Sequence, residues 1–182
     1  MILIGLTGLN ASGKGTIADM LKENGFRYYS LSDIVREKAT ELGLDHSRKN
    51  LIMCGNLLRQ ESGPSVLSKK VMEKIVSSQS PKIVIDSIRN IYEIEELRKT
   101  KGFFLIGVDA PVEIRFERSI TRGRIGFEKT LEDFKLVEKK ENSSDPAKQQ
   151  LFECLKLADT ILFNDGTVEK IRIELEQVLK TI

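Results

Sequence analysis

The sequence predicts a three-layer α/β protein, a five-stranded parallel sheet with helices on both faces. Three observations predict it. Five short runs are almost continuously apolar, as strands covered on both sides are. Helical segments with recognisable caps separate them, and strand-helix alternation of this kind implies right-handed crossovers in a parallel sheet. The 182 residues suit one domain with a full core, and 40% hydrophobic against 31% charged residues is an ordinary globular mixture.

Taken in order, the strands are expected at Ile2–Leu6, Phe26–Ser30, Lys82–Asp86, Phe103–Asp109 and Thr160–Asn164. Ile17, Met20 and Leu21 stripe the first helix, and Gly25 stands where its C-terminal cap belongs. Ser32 is the expected N-cap after the second strand. Leu51, Cys54, Leu57 and Leu58 mark a helix that Ser47 can cap, and Pro64 opens the next, with Leu67, Val71 and Ile75 inside. Asp145-Pro146 is expected to start a further helix in the same way. The last begins at Thr167, with Val168, Ile171, Leu175, Val178 and Leu179 on one side. Three helices between the second and third strands, and two after the basic stretch RGRIGFEKT, read as excursions from a single domain, 1–182. Its core is expected at 1–31, 80–121 and 158–182, with one excursion at about 32–79 and the other at about 122–157.

Composition excludes several function classes. A net charge of +2 argues against a general nucleic-acid binder. No apolar run approaches the roughly 20 residues that cross a bilayer, and the N-terminus lacks the basic region of a signal peptide. Cys54 and Cys154 have no metal-ligand spacing and read as reduced thiols, so a cytoplasmic location is expected. With His46 the sole histidine, a histidine triad or histidine-rich metal site is not expected.

The chemistry is carried by GLNASGKGT. Gly8-x-x-x-x-Gly13-Lys14 follows a strand and precedes a helix, the context of a phosphate-binding P-loop. Its glycines let backbone N–H groups converge on a polyphosphate, the helix N-terminus adds partial positive charge, and Lys14 adds a full one. Gly8, Asn10, Ala11, Ser12, Gly13, Lys14, Gly15 and Thr16 are therefore the expected ATP phosphate-binding residues. A glycine-rich turn without a ligand is the bland alternative. Gly15 follows the lysine, and the hydroxyl is delayed to Thr16. That GKGT form resembles adenylate kinases and related nucleoside monophosphate kinases, which implies a P-loop NTPase fold with a helical acceptor-binding insertion and a short lid. Thr16, directly or through a water, is then the expected contact to Mg²⁺.

The acceptor side extends the resemblance. In SLSDIVRE, Asp33 and Arg36 stand one helical turn apart, and Arg36 matches the arginine with which such kinases hold the acceptor phosphate. IDSIRN resembles their Asp-Gly-x-x-Arg strand ending, which places Asp86 at the magnesium-organising position and aims Arg89 at the acceptor. Arg48 and Arg59, eleven residues apart, can share one helix face. Guanidinium forks suit phosphate oxygens, although each of these can also be a surface arginine.

Beyond VDAP, Arg115, Arg118 and Arg122 share a helical face, with Arg124 following. Such a basic face can compensate a transferring phosphoryl group, or pair with Glu113 and Glu117 as a solvated surface. Function is favoured for Arg118 and Arg122; the stretch Arg122–Thr130 reads as a short lid, and Thr130-x-x-Asp133 resembles a capping box. LADTILFNDGTVEKIRIELEQVL resembles the last strand and helix of dephospho-CoA kinases, which implies that Asn164, Asp165 and Gly166 border adenine. A plain Asn-Asp-Gly turn accounts for the same residues.

Together these features imply an ATP- and Mg²⁺-dependent kinase acting on a small-molecule nucleotide acceptor. A nucleoside monophosphate needs no base, because its attacking oxygen is already anionic. A ribose hydroxyl needs one, and Asp33 can serve. Leu31 interrupts the Asp-x-Asp that dephospho-CoA kinases carry there, so the monophosphate is favoured. A nucleotide-holding sensor with little turnover is the expectation of another class.

Overall fold

A computed structural model describes residues 1–76, 78, 80–121 and 130–182. The chain runs β1 (Ile2–Gly8), α1 (Lys14–Glu23), β2 (Arg27–Ser30), α2 (Leu31–Glu41), α3 (Arg48–Ser62) and α4 (Val66–Val76). It continues through β3 (Lys82–Ile88), α5 (Ile91–Leu97), β4 (Phe103–Asp109), α6 (Val112–Thr121), α7 (Leu131–Glu141), α8 (Leu151–Lys156), β5 (Thr160–Phe163) and α9 (Val168–Leu179).

The five strands form one sheet in the order β2-β3-β1-β4-β5, and every pairing is parallel. Alternation along the strands builds two cores. Leu3, Ile83, Ile85 and Leu105 face one side with α2, α3, α4, α5 and Cys154 of α8. Ile4, Leu6, Val84, Ile106 and Val108 face the other with α1 and α9. This is the expected three-layer architecture, and it leaves the C-terminal end of β1 between β3 and β4. The chain leaves β1 towards β2 on one side and later returns to β4 on the other, which makes this end of β1 the topological switch point, where open sheets of this class form a crevice.

Local chemistry moves some expected boundaries. Ser30, not Ser32, caps α2, because β2 runs straight into the helix and the Ser30 hydroxyl accepts from the Ser32 N–H at 3.2 Å. Ser47 caps α3 and Thr130 caps α7 as expected. The Asp145-Pro146 helix does not form. Asp145 takes the N–H groups of Ala147 and Lys148, and the Asn90 amide holds the carbonyls of Pro146 and Lys148. That segment is therefore a turn, and α8 starts only at Leu151. Pro64 lies in the turn before α4, which begins two residues later. Among the described residues no helix is long and apolar enough to cross a membrane.

Candidate active site: a phosphate loop facing an arginine-lined cavity

The loop between β1 and α1 is made of backbone. Gly8 passes so close to β4 that a Cβ would lie 2.1 Å from the Val108 carbonyl oxygen. Gly13 has φ +106°, and a Cβ there would meet the Asn164 amide at 2.0 Å. Ala11 is also left-handed, with φ 58°, a conformation that costs a non-glycine residue energy and gathers at functional sites. Gly13 caps α1 without any side-chain bond, so the Lys14 and Gly15 N–H groups keep their anion-binding capacity, while the Thr16 N–H turns back to the Gly13 carbonyl at 2.9 Å. The Ser12 hydroxyl is buried with no hydrogen-bond partner. An orphaned hydroxyl, open helix amides and glycines with no room for side chains fit a polyphosphate.

Lys14 supplies the cation. Its ammonium donates to the Gly8 and Leu9 carbonyls at 2.6 and 2.8 Å, folded back over its own loop. Burial, and then the neighbouring Arg89 guanidinium, push its pKa down to about 7. Asp86, Arg115 and Glu138 also act on it electrostatically, so the loop, the β3 end and α6–α7 converge here.

Asn164 and Arg118 brace the loop. The Asn164 amide donates to the Ser12 carbonyl at 2.9 Å and accepts from Arg118 at 3.3 Å, and Arg118 also reaches the Ser12 carbonyl. Gly166 lies in the turn before α9, where Asp165 pairs with Lys170 at 2.7 Å. Arg115 is buried. It donates to Ala110 and Asn10 carbonyls and grips Glu138 of α7 with both terminal nitrogens, which makes it an internal strut. Arg122 and Arg124, with the rest of the lid up to residue 129, lie outside the described residues.

At the end of β3, Asp86 accepts from the Ser87 N–H at 2.5 Å and from the Tyr28 hydroxyl at 3.1 Å. Burial, and then that carboxylate, push Tyr28 up to about 12. Ser87 has φ 66° and stands where the resembled pattern has glycine. It lies where the β1–β3 register jumps, Gly5 opposing Ile85 but Thr7 opposing Ile88, and this bulge re-aims the residues that follow. Among the described residues no cluster of three His, Cys, Asp or Glu side chains can hold a metal by itself. One carboxylate and a hydroxyl, Asp86 and Thr16, instead fit a Mg²⁺ that draws most of its ligands from water and phosphate.

Beside the loop opens a cavity of about 470 Å³. Asn10 and Ala11 line its loop end, and Arg36, Arg48, Arg59 and Arg89 line the rest with Glu141 and Gln149. The four arginines that the sequence singled out on this side thus share one cavity. They are not equivalent. Arg36 is exposed and paired with Asp33 at 2.7 Å. Arg48 pairs with Glu141 of α7 at 2.7 Å, and Glu141 also accepts from the Asn10 amide at 2.8 Å. Arg59 is buried against Glu93 at 2.8 Å. Arg89 donates to the neutral Gln149 at 3.0 Å and, among the described residues, has no carboxylate within ion-pair distance. Burial is the main influence lowering its pKa. Asp33 is exposed and does not line the cavity.

Glu93, Glu138, Glu141 and Gln149 escaped the sequence reading. Only Glu93 left a local signal, as the fourth residue of an Asn90-x-x-Glu93 capping box.

A family model described as an AAA domain matches residues 4–141. The UPF0200 protein of Sulfurisphaera tokodaii is 32% identical over 180 residues, spanning 99% of this chain and 97% of the relative. That of Thermococcus gammatolerans is 33% identical over 187 residues, spanning 100% and 93%. Among solved structures, TT1252 from Thermus thermophilus matches with a TM-score of 0.66 at 22% identity, covering 100% of this chain and 97% of the other. Shikimate kinase from Aquifex aeolicus matches with a TM-score of 0.58 at 15% identity, covering 99% and 97%. At these identities the structural likeness is one of fold. It bears out a P-loop kinase-like fold without singling out adenylate or dephospho-CoA kinases. The chain belongs to the UPF0200 family and, through residues 4–141, to the AAA-domain family.

Proposed function

We propose that this protein is an ATP-dependent kinase that passes the γ-phosphoryl group of Mg-ATP to a nucleoside-monophosphate-like acceptor held in the arginine cavity. Arg89 is the observation that carries the proposal. A partly buried guanidinium whose direct partner is a neutral amide, with the Glu141 and Asp86 carboxylates acting on it from beyond ion-pair distance, leaves incompletely compensated positive charge at a cavity. After burial, the same charge also depresses Lys14, so the two cations are close enough to act on one another, and a ligand carrying phosphates would relieve both. A buried cation without an anion is costly, and a ligand phosphate removes that cost.

In this reading Gly8, Asn10, Ala11, Ser12, Gly13, Gly15 and Thr16 cradle the ATP phosphates, and Lys14 swings from its own loop carbonyls onto them. Mg²⁺, held near Thr16 and Asp86 partly through water, would neutralise phosphate charge. Arg89 grips the acceptor phosphate, with Arg36 and Arg59 on its flanks. Arg118 fixes the loop end, and Arg122 closes over the transferring group. Catalysis is then mostly positioning and charge compensation, as phosphoryl transfer requires. Asn164 and Gly166 border the adenine side, where Asn164 also braces the loop.

A second reading, transfer to a ribose hydroxyl, draws support from Glu141, a carboxylate of the cavity wall bonded to the loop residue Asn10. Asp33 is the poorer base, because it is exposed and does not line the cavity. The test is ADP release from Mg-ATP with AMP, CMP, dCMP, UMP, GMP, dTMP and dephospho-CoA. Strong stimulation by a monophosphate is the expected result. Stimulation by dephospho-CoA alone would move the assignment to hydroxyl transfer, and ATP binding that no acceptor stimulates would favour a sensor.

A further inference from the structure

We infer that Glu93 is a positioning residue that sets Arg59 and Arg89 together as a receptor for a phosphate dianion. This rests on the reading of the arginine cavity as the acceptor site.

Glu93 lies in the first turn of α5 and is fully buried. Its Oε1 accepts from Arg59 Nε at 3.1 Å and from Arg59 Nη2 at 2.8 Å. Its Oε2 accepts from the backbone N–H of Arg89 at 2.9 Å and of Asn90 at 3.1 Å. Two carboxylate oxygens offer about four acceptor sites, so these four bonds use the full capacity. One carboxylate therefore fixes the side chain of one cavity arginine and the backbone of the other.

The capping box explains only part of this. It requires the bond from the Asn90 N–H, and leaves Oε1 free to face anything. Here Oε1 is given wholly to an arginine 34 residues earlier in the chain. Burying such a pair is an inefficient way to stabilise a fold, since apolar residues of similar volume often do as well. Its geometry does something else. With Nε and Nη2 taken, Arg59 keeps Nη1, which has no hydrogen bond among the described residues. Nη1 lies beside Gly55, where a Cβ would stand 3.4 Å away, and both residues line the cavity. The fork is held by one edge and presented by the other.

The charge pattern agrees. Arg36, Arg48 and Arg59 each face a carboxylate, and Arg89 does not. Glu93 therefore orients Arg59 as a donor while leaving Arg89 as the cavity arginine that, among the described residues, has no carboxylate within ion-pair distance. A phosphate monoester, close to a dianion at neutral pH, matches a cation without a direct ion pair plus directed N–H donors.

The test uses the full chain saturated with Mg-ADP, so that the loop is filled, and inorganic phosphate as the probe, followed by calorimetry. Arg59→Met and Arg89→Met are expected to weaken phosphate binding at least tenfold. Glu93→Gln should do the same while Mg-ADP affinity stays within twofold. The double variant R59M/E93Q should bind no more than twofold more weakly than R59M, because both changes remove one oriented fork. Arg59→Lys keeps the charge but not the two-point grip on Glu93. It should also lose at least tenfold, and it stands in if Glu93→Gln does not fold. If Arg59→Met weakens binding while Arg59→Lys, and Glu93→Gln where it folds, stay within twofold, the role of Glu93 is overturned and the cavity assignment stands. If Arg59→Met and Arg89→Met both leave binding within twofold, the cavity assignment falls, and this inference with it.

Discussion

The two halves of the site are built from different materials. On the proposed donor side, the end of β1, the five loop residues Leu9–Gly13 and the start of α1 form a contiguous stretch whose ligand groups would be mostly backbone N–H. On the proposed acceptor side, the cavity takes side chains from α2, α3, the β3 end and α7; carboxylates from other elements hold Arg48 and Arg59, and Asp33 of the same helix holds Arg36. A backbone cradle is specified by local sequence and recognises what all nucleotides share. A side-chain cavity can be re-aimed by substitutions in several elements, so acceptor choice can change while the loop stays fixed.

Breaking the donor half should have the largest effect. Lys14→Ala removes the loop's only full charge and should lower the rate of transfer by at least about 10²–10³-fold, the loss typical of one transition-state donor. Transfer within tenfold of wild type in single-turnover assays would refute the loop assignment.

Breaking the acceptor half should be smaller and selective. Arg89→Met should raise the acceptor KM about 10–100-fold, the worth of a lost charged hydrogen bond. Mg-ATP affinity, measured by calorimetry, should stay within about threefold if the two halves are energetically separate.

A pH titration sharpens the contrast, because it reads the donor half alone. Lys14 starts from about 7, and bound phosphates would return it towards the ordinary lysine value. From about pH 7.5 to 9.5 ATP binding should therefore take up a proton, and affinity should fall by up to about tenfold per pH unit as pH rises. Below pH 7 the ammonium is charged with or without ATP, so this dependence should vanish. The same depression means that the free protein binds fewer protons than its unfolded chain between pH 7 and 10.5. Its stability should gain from rising pH over that window. Calorimetry in buffers of different ionisation enthalpy counts the protons directly.

The smallest effect separates two neighbouring glycines, Gly13 at the N-cap of α1 and Gly15 in its first turn. A Cβ at Gly15 meets nothing within 4 Å, so Gly15→Ala should be tolerated and raise Tm by about 1–3 °C through helix propensity. Gly13→Ala, at a positive φ and against Asn164, should instead impair ATP binding. Thermal denaturation with and without Mg-ATP distinguishes the two.

Legibility in the sequence follows the same division. The strands and the loop were legible because apolar runs and glycine spacing are local signals; β4 matches its expected Phe103–Asp109 span. The arginines that share the cavity could be picked out, but not ranked. Whether each faces ligand or carboxylate depends on partners as distant as Arg48 and Glu141, 93 residues apart. The Asp145-Pro146 turn misled for the same reason, since Asn90, from another element, claims its carbonyls. Arg115 reads identically to Arg118 on the helix face, yet Glu138 makes it a strut.

The central claim is that a continuous phosphate track runs from Lys14 to Arg89. The most direct measurement is the affinity of diadenosine pentaphosphate compared with that of ATP, in the wild type and in Arg89→Met. The account predicts binding at least about 100-fold tighter than ATP in the wild type, as joining two sites through one ligand provides. It also predicts that Arg89→Met erases most of that gain and leaves ATP affinity in place. Binding no tighter than ATP in the wild type would contradict it.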